Sequence, residues 1–115
     1  MRNITLEIPE RIVLIGIFND KELKGDIETL RAVLDDIPKI SISEEEKKEI
    51  GFTEIKDADG EVSSFKWDKP NPIDVELNDK TIDLVVKYID LKSKANQLSL
   101  TDYVLFNLFD KLKKE

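Results

Sequence analysis

Between Pro72 and Leu91 the apolar residues change period within twenty positions. Ile73, Val75 and Leu77 alternate with Asp74 and Glu76, the period-two pattern of a half-buried strand. Asn78 or Asp79 then offers a helix cap, and Ile82, Val85, Val86 and Ile89 recur at helical spacing. A strand that must bury one face and a helix that must bury one stripe, joined without slack, constrain this chain more than any other segment. The N-terminus repeats the scheme more compactly. Ile4, Leu6 and Ile8 alternate in a strand over 3–8, and Pro9 opens an apolar run, Glu10 to Phe18, that suits a short helix packed through Gly16. These two units read as the halves of one core.

Between them the spacing predicts a helix capped by Asp26 and ended by Pro38, with Ile27, Leu30, Leu34 and Ile37 as its inward face. Ser43 and Glu46 fit a capping box, and Gly51 a C-terminal stop. Residues 52–67 read as a hairpin turning at Asp59-Gly60 in type I′ geometry, with Phe65 and Trp67 on one face of its second strand. Lys69 to Pro72 is a linker inside the domain. Ser99 caps a last helix, in which Val104, Leu105, Leu108, Phe109 and Leu112 face inward and Lys111, Lys113 and Lys114 favour the C-terminal end. The expected fold is α+β in one domain over 1–115: a small three- to four-stranded sheet packed on one side by four to five helices.

The chain has neither His nor Cys. That removes imidazole acid–base chemistry, thiol nucleophiles and zinc sites built from those ligands. No pair among the 25 acidic residues stands out for carboxylate catalysis, so no catalytic residue, cofactor or metal is expected. Asp57-Ala58-Asp59-Gly60 resembles part of a calcium loop, but the end positions fall on Ile55 and Lys66, where oxygen ligands are required. The net charge of −7 disfavours nucleic acid and anionic membranes as partners. The longest apolar run, Ile12 to Phe18, is far below the ~20 residues of a membrane span, and no secretory leader is read, so a cytoplasmic location is expected.

Residues 43–61 carry eight acidic against three basic side chains. Glu44, Glu45, Glu46 and Glu49 form either a solvated face or a docking face for a basic surface. Trp67 reads as a core anchor or an interface residue. Tyr103 and Phe106 widen the apolar arc of the last helix beyond one core face, which suits a homo-oligomer. Arg11 and Arg31 are the cations to examine if a phosphate-bearing ligand binds at a subunit boundary.

The order ITLEIPERIVLIGIF, then SISEEEKKEIGF, then FKWD, then VELNDKTIDLVVKYIDLKSKANQLSLTDYVLFNLFDKL resembles small accessory proteins of tailed bacteriophages and prophages. That resemblance implies a protein working in the host-cell cytoplasm and brings no catalytic residues with it. The expected function is that of a small non-enzymatic accessory protein that binds and modulates or inhibits a bacterial host protein, such as a defence factor. The alternative is an oligomeric sequestering protein for a small signalling ligand such as a nucleotide.

Overall fold

A computed structural model describes residues 1–113, in the order β1 (Arg2–Leu6), α1 (Ile8–Phe18), α2 (Ile27–Ile40), α3 (Glu44–Ile50), β2 (Thr53–Lys56), β3 (Val62–Lys66), β4 (Ile73–Leu77), α4 (Asp79–Lys94), a 3-10 turn at Leu100–Asp102, and α5 (Tyr103–Lys113). The expected lysine at position 114 lies outside the described residues. The fold is α+β, with five helices and four strands.

The two strand-to-helix units are the centre of the molecule. β1 and β4 pair antiparallel with Ile4 opposite Val75 and Thr5 opposite Asp74. The period-two pattern places Ile4, Leu6, Val75 and Leu77 on one buried face, with Asn3, Thr5, Asp74 and Glu76 exposed on the other. Leu14 of α1, Ile82, Val85 and Ile89 of α4, and Leu105, Leu108 and Leu112 of α5 pack with that face. Arg2 ties the strand to the end of α5 by donating to the carbonyls of Lys111 and Leu112, two acceptors a helix C-terminus leaves open.

The four strands divide between two sheets, β1–β4 and β2–β3, where a single sheet was expected. The connection from β3 to β4 contains Pro70 and Pro72, which lack backbone donors and cannot extend a ladder. The β2–β3 hairpin is exposed along both strands. Its turn is also longer than the expected type I′. The amide of Gly60 donates to the Asp57 carbonyl and that of Asp57 to the Glu61 carbonyl, with Gly60 at φ 82° and no positive φ at Asp59. The result is a three-residue loop with a glycine bulge, held by the Asp57 carboxylate, which accepts from the amides of Asp59 and Glu61.

Three further boundaries differ from expectation for local reasons. Pro9 lies in the first turn of α1, where a missing amide is harmless, and α1 starts at Ile8 with the Glu7 amide donating to Glu10 Oε1. Pro38 lies inside α2, which continues to Ile40. Gly16 does not mediate close packing, since a Cβ there would meet nothing within 4 Å. Gly51, at φ 68°, ends α3 as expected.

The largest departure is the orientation of α2. Ile27 and Leu34 are 69% and 66% exposed and Leu30 is exposed beside them, while Val33, Asp36 and Ile40 turn inward. Asp36 explains this. Its carboxylate is fully buried and accepts from the Asn78 backbone amide at 3.0 Å, the Asn78 side chain at 3.1 Å and Lys39 Nζ at 2.8 Å. Asn78 is the N-cap of α4, so Asp36 satisfies an open donor at that helix start. Burial alone would raise the Asp36 carboxyl, but these bonds, led by Lys39, hold it below its ordinary value. A buried carboxylate with three donors fixes the face α2 presents, and the apolar stripe is turned out.

Candidate functional site

A cleft of about 550 Å³ opens between the start of α1, the exposed side of α5 and the residue after β3. Glu7 and Glu10 come from the first turn of α1, Asp110 and Lys111 from the last turns of α5, and Trp67 and Tyr103 supply aromatic surface. Three carboxylates against one ammonium leave the lining with a formal charge of −2.

Glu10 is the unusual member. It is 3% exposed, yet it carries a carboxylate. Its Oε1 accepts from the Glu7 amide at 2.9 Å and from Lys111 Nζ at 2.6 Å, while Lys111 also donates to the Thr5 carbonyl. Its Oε2 is buried and accepts no hydrogen bond among the described residues. A buried acceptor left in this state costs about 1–3 kcal/mol, which makes it a marker for a missing donor.

Trp67 belongs to a satellite cluster rather than the main core. Its ring stacks on Phe52, centroids 6.5 Å apart, and Phe52 in turn contacts Phe65 at 5.5 Å. The indole is therefore half-buried and held from behind while it borders the cleft. Tyr103 is 64% exposed at the start of α5. Two residues singled out separately in the sequence thus share one site. Phe106, 38% exposed, lies on α5 outside this lining.

The acidic run of α3 does not behave as one face. Glu44, Glu45 and Glu49 are exposed, but Glu46 turns inward. The Ser43 hydroxyl accepts from the Glu46 amide, so half of the capping box forms; the Glu46 carboxylate instead meets Arg11 Nη1 and Nη2 at 2.5 and 2.9 Å and Asn71 at 2.6 Å. The Arg11 guanidinium beside it holds its carboxyl below the ordinary value against the opposing effect of burial.

Arg11 itself is 1% exposed and also donates to the carbonyls of Ile40 and Ser41. Its donors are occupied within the fold, so it is not free to receive a phosphate, while Arg31 stands exposed on α2. The pairing of these two arginines around a ligand has no support in this geometry. The guanidinium is a structural cross-link between α1, the end of α2 and α3.

Two apolar surfaces remain. One is the outward stripe of α2. The other is a groove of about 470 Å³ over Gly16, walled by Ile12, Ile15, Ile42, Phe52 and Phe65. Among the described residues no group of three or more Asp or Glu is placed to hold a metal ion, and no helix is long and apolar enough to cross a membrane.

Glu10 and Lys111 were missed in the sequence because they sit 101 positions apart and each looks like an ordinary helix-end charge. The one local signal was Glu10 three residues after Glu7 at a helix start. Compared with protein-family models, curated proteins and solved structures, the chain matches none.

Proposed function

We propose that this chain is a non-enzymatic binding protein whose partner is another protein, a bacterial host factor met in the cytoplasm of a phage-infected cell. The resemblance to phage accessory proteins motivates the setting, and the outward stripe of α2 carries the binding reading. Ile27, Leu30 and Leu34 follow one another at spacings of three and four on an exposed helix side, an arrangement that suits laying a helix into a partner's groove or against a partner's helix. Asp36 supports this by holding the stripe outward at the expense of burying it. The unfilled groove beside Phe52 and Phe65 supplies further apolar area.

The test uses Leu34→Lys and Ile27→Lys. Each should leave the melting temperature within about 2 °C of the parent, because neither side chain is packed. Each should also remove a host protein that co-purifies with the unaltered chain. Native mass spectrometry of the purified material distinguishes a foreign protein from a second copy. A stable variant that keeps its partner at full yield refutes this surface as the binding face, and a parent chain that carries only copies of itself refutes the host-factor reading.

A further inference from the structure

We propose that the cleft between α1 and α5 is a receptor for an organic cation, a guanidinium or a primary ammonium group. This inference uses none of the α2 surface and stands apart from the host-factor reading. Four observations converge on it. The lining is acidic, with Glu7, Glu10 and Asp110 against Lys111 alone. Lys111 is already engaged with Glu10 Oε1 and the Thr5 carbonyl, so its charge is balanced within the wall. Glu10 is nine-tenths buried and more, and its Oε2 has no donor among the described residues. Trp67 and Tyr103 border the same space and offer ring faces to a cation.

Each feature selects for part of the ligand. The unpartnered carboxylate oxygen calls for an N–H donor. The net negative lining calls for positive charge, since a neutral donor would leave the field of Glu7 and Asp110 unanswered. The half-buried indole, backed by Phe52, favours a flat or polarisable group, and a guanidinium meets all three conditions at once. The volume of about 550 Å³ admits an arginine-sized side chain and its neighbours. An anion has no free donor here: the one cation of the lining is committed to Glu10.

Trp67 is the only tryptophan of the chain, so its fluorescence reports on this cleft without any label. Titration of the unaltered protein with N-acetyl-arginine amide should give a saturable change in that fluorescence. N-acetyl-citrulline amide, which keeps the shape and loses the charge, should bind at least about tenfold more weakly. The arginine signal should weaken as salt is raised from 20 to 300 mM, on the order of the screening of a partly exposed site. Glu10→Gln keeps the size of the side chain and should lower affinity about tenfold. If that variant does not fold, Tyr103→Ala, altered at a largely exposed position, takes its place and should weaken binding two- to fivefold by removing one ring.

The source of the cation is read in the same experiment. A short peptide with a central arginine that binds about tenfold more tightly than the amide places the group on a polypeptide. Equal affinity for the peptide, the amide and n-butylammonium places it on a small amine. Absence of any saturable change up to 50 mM arginine amide, or equal response to citrulline and arginine, overturns the proposal.

Discussion

Replacing Arg11 with Met tests the cross-link that holds α1, α2 and α3 together. The substitution keeps an unbranched apolar stem and deletes the guanidinium, leaving the carbonyls of Ile40 and Ser41 and the Glu46 carboxylate without four hydrogen bonds. Removing one member of a buried ion pair costs about 3–5 kcal/mol. Glu46 keeps 16% of its side chain exposed and retains Asn71, so water and one donor soften the loss, and the lower end, about 3 kcal/mol, is expected. Against a total stability of about 5–15 kcal/mol that is a large fraction. It corresponds to a fall in melting temperature of about 12 °C for a domain of this size. Urea unfolding followed by far-ultraviolet circular dichroism measures it directly. Glu46→Leu and the double variant complete a thermodynamic cycle, and the coupling should be about 1.5–3 kcal/mol, because each single change strands the other group. A loss below about 1 kcal/mol for Arg11→Met, the level of an exposed pair, would refute the cross-link.

Other outcomes follow from the same geometry. Asp36 and Glu46 both titrate below their ordinary values of 3.8 and 4.5, so the stability they contribute is complete above those values and drains away as pH falls through the lower, folded ones. The urea midpoint should therefore fall steeply below about pH 4.5, and Glu46→Gln should flatten part of that slope. Gly51→Ala forces a side chain into left-handed backbone against the Asp68 carboxylate and should destabilise by about 1–2 kcal/mol, measured by thermal denaturation. Leu108→Ala, at a fully buried position on α5, should cost about 2–5 kcal/mol, whereas Leu34→Ala on the α2 stripe should change stability by less than about 0.5 kcal/mol.

The elements that could be read in advance are those whose pattern is local. The period change from Ile73–Leu77 to Ile82–Ile89 needs only neighbouring residues, and strand, cap and helix occur where it placed them. The orientation of α2 could not be read this way. Its spacing marks Ile27, Leu30, Leu34 and Ile37 as the inward face, but the decision rests with Asp36 and its bonds to Asn78, 42 positions away. Glu46 looked like one carboxylate in an acidic run, and its partner Arg11 lies 35 positions earlier. The cleft has the same character. It gathers Glu7 and Glu10, Trp67, and Tyr103 through Lys111 from three distant stretches, and only packing brings them together. Trp67 and Tyr103 were found because aromatic residues stand out by type. Glu10 had no such mark, because burial and a missing donor are properties of the folded chain.

The pairing of β1 with β4 also sets an order for assembly. Residues 2–6 meet residues 73–77, and Arg2 reaches the carbonyls of Lys111 and Leu112. During synthesis the first strand therefore has no partner until two-thirds of the chain has emerged, and its clamp on α5 waits for nearly all of it. Contacts of such long sequence separation slow folding, because the loop must close before the ladder stabilises it. Until then the apolar edges of Ile4, Leu6 and Ile8 are open to other chains, which makes the nascent N-terminal segment the place where misassembly would begin.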